Sequence, residues 1–430
     1  MLIGVCLSLC ANFAVPTCAT RQPGRDEQSL EELLTRARRE RDAIQARLKS
    51  EVEALQKEFE SAPDARDLPA KVERAVALGA EATPLLAALI DPGEAPSDAQ
   101  RLRASQFAIA LARMDTTAVT TQLLALLRSG SSEGKRNVLR ALQTTTDRAR
   151  VGPEVERVFR TSEGPLKTHA LRALIALGGE GLTAILTEIL GGTDDTMIGL
   201  AIDGLADQKC ASAVEQVRRI LAQSQVAARH ALALLRYFRT VPEVRQAQDI
   251  TQFVRLAQSA TIPLDIRVGI VESLLSLEPA LNVELRKNME PIVGSADRRL
   301  REAGLVLLAN LGDKNARRDL IKEYDELVEK NERWFDAYVR RADMYAKIGD
   351  DDEAIKDYKQ ALAVGRDESL PTELYEKLSL AYTRKGKFKD AAELLNRAPI
   401  SAARLKELSE DARYAPLRNS KYGKDAFGLK

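Results

Sequence analysis

"MYAKIGDDDEAIKDYKQAL", residues 344–362, sets large, small and turn-forming residues at fixed steps. Tyr345 stands four residues before Gly349, Ala354 five after it, Tyr358 four later and Ala361 three later. Such spacing fits two helices joined at a glycine, with alanines where the helices touch and tyrosines filling the gap between neighbouring pairs. The frame returns 37 residues on in "LYEKLSLAYTRKGKFKDAAELLNRAP", through Tyr375, Leu378, Tyr382, Gly386, Ala391, Leu395, Ala398 and Pro399.

Upstream, from about residue 69 to 320, a looser repeat appears. "ALGAEATPLLAALI" (77–90) is similar to "ALGGEGLTAILTEI" (176–189), and the Leu-Gly pair returns in "ANLGDKNARRDLI" (309–321). Leu78, Leu177 and Leu311 are 99 and 134 residues apart, near three and four units of roughly 33 residues, a period of stacked helical hairpins. The intervening faces, such as "QLLALLRSG", "HALRALIAL", "GIVESLLSL" and "AGLVLLANL", are too narrow to fold alone and must bury one another.

Residues 334–362 and 375–399 resemble the tetratricopeptide (TPR) repeat, with two departures. Arg341 stands where an apolar residue is usual, which predicts a partly wet edge toward the preceding helix, and Ser379 stands where Gly or Ala is usual. "LDIRVGIVESLL" (264–275) and "LREAGLVLLANLGD" (300–313) make the earlier segment resemble HEAT-like repeats, and armadillo-like stacking fits it as well. The resemblance implies an all-α fold: a right-handed α-solenoid of HEAT-like helical hairpins continuing into TPR hairpins. The domains then run as a HEAT-like solenoid over 69–320, a TPR domain over 321–418 whose closing helix covers 401–417, and a C-terminal tail over 419–430.

A long amphipathic helix is expected before the solenoid, over 27–62. Leu30, Leu34, Ala37, Ile44, Leu48, Val52, Leu55 and Phe59 form one apolar stripe that must dock on something. Two readings stay open: a coiled-coil contact that would make the chain oligomeric, with Arg41 inside the stripe and Glu51 and Val52 breaking heptad spacing, or a cover for the open end of the next domain. The first twenty residues, "MLIGVCLSLCANFAVPTCAT", are uncharged, apolar and short for a membrane span. They read as a secretory signal over 1–19 cleaved after Ala19, which predicts a periplasmic or secreted protein with no membrane span in the mature chain. A lipoprotein anchored through Cys18, or a buried N-terminal helix of a cytosolic protein, are the alternatives. After cleavage only Cys210 remains, so no disulfide framework is expected.

Composition narrows the function classes. The 64 basic and 63 acidic residues cancel and no region is dominated by Lys and Arg, which argues against nucleic acid as the partner. No phosphate loop, nucleophile elbow, dinucleotide turn or H-E-x-x-H helix occurs, so no catalytic, cofactor-binding or metal residue is nominated. His169 and His230 each sit beside an alanine without a second ligand at metal spacing, and the acid clusters at 194–207 and 349–357 read as turns and helix N-termini. Cys210 reads as a half-buried structural cysteine.

In the TPR frame the concave face carries Asp336, Val339, Asp343, Ala346 and Lys347 on one helix and Glu373, Glu376, Leu380, Thr383 and Arg384 on the next. Val339 and Asp343 occupy positions where the family's carboxylate clamp has Lys and Asn, so capture of a C-terminal carboxylate is not expected. Four acids and two bases suggest a groove for a segment with basic and apolar side chains, unless the face packs on the closing helix. The expected function is a non-catalytic scaffold or adaptor for protein or peptide partners. The alternatives are an enzyme-associated HEAT-like protein similar to bilin lyases, and a structural component of envelope assembly.

Overall fold

The computed structural model describes residues 25–61, 68–94, 96–365 and 370–428. The signal expected over 1–19, with Cys18, lies outside them. Every regular element among the described residues is helical, and the helices pack as adjacent pairs, an all-α solenoid of helical hairpins. The chain forms two compact units, Met1–Gly179 and Glu180–Lys430. No helix among the described residues is long and apolar enough to cross a membrane.

In the first unit α1 (Arg25–Ser61) precedes α2 (Leu68–Ala77), α3 (Thr83–Ala88), α4 (Asp98–Met114), α5 (Thr117–Ser129), α6 (Ser132–Leu142), α7 (Arg148–Thr161) and α8 (Gly164–Leu177). The stripe of α1 divides. Leu48, Val52, Leu55 and Phe59 are buried against α2, α3 and α4, with Phe59 edge-on to Phe107 at 5.2 Å between ring centroids. Leu33, Leu34 and Ile44, nearer the N-terminus, are 45–59% exposed. The helix therefore covers the end of this unit with its second half only. Caps set the breaks: Ser97 and Gln100 form a capping box at α4, and Thr116 and Ser131 cap α5 and α6.

The second unit runs through α9 (Leu182–Leu190), α10 (Asp195–Asp207), α11 (Val214–Ala222), α12 (Ser224–Arg229), α13 (Ala231–Thr240), α14 (Ala247–Gln258), α15 (Leu264–Leu274), α16 (Val283–Val293), α17 (Arg298–Asn310) and α18 (Lys314–Lys330). One layer is built by α10 on α13, α13 on α15 and α15 on α17; α11, α14 and α16 stack behind it. Then come α19 (Phe335–Lys347), α20 (Asp351–Val364), α21 (Thr372–Arg384) and α22 (Phe388–Arg397), followed by α23 (Ala402–Glu410), α24 (Ala415–Arg418) and α25 (Gly423–Phe427).

The opening stretch is the α19–α20 hairpin. Gly349 turns it at φ +75°, a conformation that a side chain would oppose, and Gly386 repeats the turn at φ +71° between α21 and α22. Ala342, Ala354 and Ala361 are fully buried where the helices meet, and Tyr358 fills the space toward Leu374 and Leu378 of α21. Residues 419–430, drawn from sequence as a tail, contain α25, whose Ala426 and Phe427 are buried with Tyr414 and Leu417 in the terminal core. Apolar Phe427 makes packing more favourable than a free end.

Candidate functional site

The face assigned to the TPR groove is occupied largely by the protein itself. Asp343 accepts hydrogen bonds from the Tyr358 hydroxyl at 2.6 Å and from Lys377 Nζ at 2.7 Å. Burial and then that Asp343 contact hold the Tyr358 phenol well above its ordinary pKa. Asp336 accepts from Arg340 one turn on, at 2.7 Å, and Val339 is half-buried in the hairpin core. On α21, Glu376 receives a two-pronged hydrogen bond from Arg404 of α23, at 2.9 and 2.8 Å. Leu380 packs against the terminal core, and Arg384 donates to Asp351 at 2.8 Å. Ala346 is half-buried, Thr383 is buried with its hydroxyl on the Ser379 carbonyl, and Glu373 is exposed.

Both departures from the TPR pattern acquire partners. Arg341 donates to both Asp357 oxygens, at 2.7 and 2.8 Å, and to the half-exposed Asp325 of the preceding helix at 3.0 Å, tying α18, α19 and α20 together. Hydrogen bonding to Asp357 raises its pKa despite burial. Ser379, fully buried, shares a 2.8 Å hydrogen bond with the Tyr414 hydroxyl, which also donates to the Glu376 carbonyl.

The acid clusters are likewise internal. Asp350 pairs with Arg317, Asp351 with Arg384 and Asp352 with Lys385, each 33 residues away. Asp194 caps α10 through the Met197 amide, Asp195 pairs with Arg229, and Asp203 and Asp207 with Arg236. An acid and a base 29–34 residues apart, in either order, are the sequence signal for these rungs, and reading each cluster alone conceals it. No group of three metal-ligating side chains occurs among the described residues. His230 Nε2 lies 3.7 Å from Asp195, and burial lowers the pKa of both His230 and His169. Burial raises the Cys210 thiol, but hydrogen bonds with Ser212 and Thr183 outweigh it and leave the group below its ordinary value. A 3.6 Å contact to Thr183 makes it part of the packing between hairpins.

Further along the same unit a surface stays open. Across α15, α17 and the end of α19 lies a cleft of ≈ 490 Å³, floored by Val268 and Gly269 of α15 and by Ala303 and Val306 of α17. Leu275, 38% exposed, stands at its edge. On the neighbouring α13, Leu232 is 60% exposed, with its Cδ2 3.9 Å from where a Cβ on Gly269 would lie. Three carboxylates rim the cleft. Asp265 is paired with Arg299 at 2.8 Å; Glu302 receives Lys347 at 3.2 Å and the Tyr324 hydroxyl at 3.0 Å. Burial, then Glu302, pushes Tyr324 up to about 12. Glu272 is exposed, without an ion-pair partner among the described residues. Lys347 is the one residue nominated for the TPR groove that lines this cleft; the α15 and α17 contributions escaped the sequence reading because they look like ordinary helix-face residues. A second depression of ≈ 530 Å³ lies between α9, α10, α11 and α12, with Asp195, Arg219, Arg229 and Gln216 on its walls.

An apolar floor with a few charges around it suits a side chain presented by another molecule. No curated protein matches the chain. Residues 335–364, the α19–α20 hairpin, match the family model of the tetratricopeptide repeat. The chain is a helical-repeat protein that contains a tetratricopeptide repeat.

Proposed function

We propose that the protein is a non-catalytic scaffold, exported from the cytoplasm, that holds a partner protein on the helix layer formed by α10, α13, α15 and α17. The hairpins before α18 are of the HEAT-like type in this reading, and the TPR hairpin, a module typically used for protein contacts, supports the adaptor role. One observation carries the choice of surface. Most charged residues of the expected TPR groove are spent on internal ion pairs, whereas the α13–α15–α17 face keeps Leu232 and Leu275 exposed beside an open cleft. Exposed apolar surface next to a concavity marks an interaction site.

Export is supported by the uncharged apolar start followed by a charged chain. N-terminal sequencing of the protein from its native host tests it: residue 20 at the terminus is expected, and an intact Met1 on soluble cytosolic protein overturns it. Affinity capture from the same host tests the adaptor reading. A specific protein should be retained by the wild type and lost with Leu232→Asp/Leu275→Asp, while a chain that retains nothing reproducible is not an adaptor.

A further inference from the structure

We infer that the cleft takes an exposed segment of a partner protein that seats one large apolar side chain against Gly269 and a lysine or arginine against Glu272. The inference rests on the adaptor reading. Its first support is Gly269 itself. A glycine inside a helix weakens that helix relative to alanine, so its presence asks for a reason. At three other helix glycines the reason is internal packing, while Gly152 of α7 has open space around it. A Cβ on Gly304 would stand 2.8 Å from Ile292 Cγ2, one on Gly199 3.1 Å from His230 Nδ1, and one on Gly134 2.5 Å from Asp91 Cγ. At Gly269 the nearest atom is Leu232 Cδ2 at 3.9 Å, an ordinary contact. The fold would accept a larger residue here, and the bare backbone instead opens the cleft floor to close approach from outside.

The surroundings state what approaches. Leu232, Val268, Leu275 and Val306 offer apolar contacts around the glycine. Of the three carboxylates at the rim, Asp265 and Glu302 already hold cations of this chain, and only Glu272 is left to receive one from outside. Gly269 and Glu272 are three residues apart on α15, so their side-chain directions diverge by less than a turn and lie about 5–6 Å apart at the Cβ positions. An extended segment places alternate side chains on one side at about 6.5 Å. An apolar residue and a base two positions apart meet both requirements.

The test uses the full chain and a phage-displayed library of random nine-residue peptides as the probe. Selection on the wild type should enrich a large apolar residue two positions from Lys or Arg. The selected peptides should bind Gly269→Leu and Leu232→Asp at least ten-fold more weakly, with thermal melting used to confirm that both variants fold. Selection on Glu272→Lys should replace the base with Asp or Glu. Peptides that bind all three variants like the wild type, that show no preference for a base, or that are not recovered at all overturn the inference. So does sedimentation showing self-association abolished by Gly269→Leu, which would make a second copy the occupant. Host-partner capture separates the two levels: a partner still retained by Gly269→Leu leaves the adaptor standing and removes the cleft as its seat.

Discussion

Arg341 shows how a residue that breaks a repeat pattern can strengthen the repeat. Its guanidinium fork matches the Asp357 carboxylate two-pronged, and the acid side chain is only 10% exposed. Removing the cation strands a buried charge, whereas replacing both partners by apolar residues need not destabilise. Arg341→Leu is expected to weaken the α18–α20 region by on the order of 3 kcal/mol, and Arg341→Leu/Asp357→Leu to recover most of that loss. Hydrogen exchange of the α18–α20 amides in the full chain reads both. Equal loss in the single and double variants would mean that Arg341 acts through packing of its stem.

At the scale of elements, glycine placement separates helices built for each other from a helix left open. Gly269→Ala should stabilise α15 by about 0.5–1 kcal/mol, because the new methyl meets only Leu232 at 3.9 Å. Gly304→Ala should destabilise by about 1–3 kcal/mol, since Ile292 and Val293 of α16 must move. Opposite changes in thermal melting are expected, and two changes of the same sign would contradict the contact geometry. α1 offers a second contrast. Leu55, 2% exposed, is expected to cost about 2–5 kcal/mol of first-unit stability as Leu55→Ala, while Leu34→Ala changes it little. A comparable loss from Leu34→Ala would show that the exposed half of the stripe is covered.

For the molecule as a whole, pH is the lever that reaches both units, because each contains one histidine. Burial depresses His169, aided by Arg140, Arg172 and Arg136; burial also depresses His230, against the pull of Asp195. Both lie below the unfolded value of 6.5, so the unfolded chain binds more protons. Stability is full above pH 6.5 and declines as pH falls below it toward the folded values. His169→Gln should flatten that decline in the first unit and His230→Gln in the second, as read by hydrogen exchange at pH 7.5 and 5.5. A decline unchanged in both variants would assign it to the carboxylates.

The alternation of Tyr, Ala and Gly around Gly349 was enough to specify the α19–α20 hairpin, because a left-handed turn admits glycine and a close helix contact admits alanine wherever they recur. Upstream the Leu-Gly pairs mark helix ends for the same local reason, with Gly79, Gly178 and Gly312 at φ +76°, +67° and +92°, while Asp115, Lys209 and Glu278 take the left-handed conformation at other breaks. Which charges remain for a partner could not be read this way. Asp343, Glu376 and Arg384 looked like one exposed face, yet their partners Lys377, Arg404 and Asp351 come from a neighbouring hairpin or from the closing helix. Only the packed chain brings those groups within hydrogen-bond distance. The open site on α15 and α17 followed from the same fact in reverse: Gly269, Leu232 and Glu272 belong to ordinary helical patterns, and tertiary packing alone decided that Leu232 and Glu272 stay exposed among the described residues.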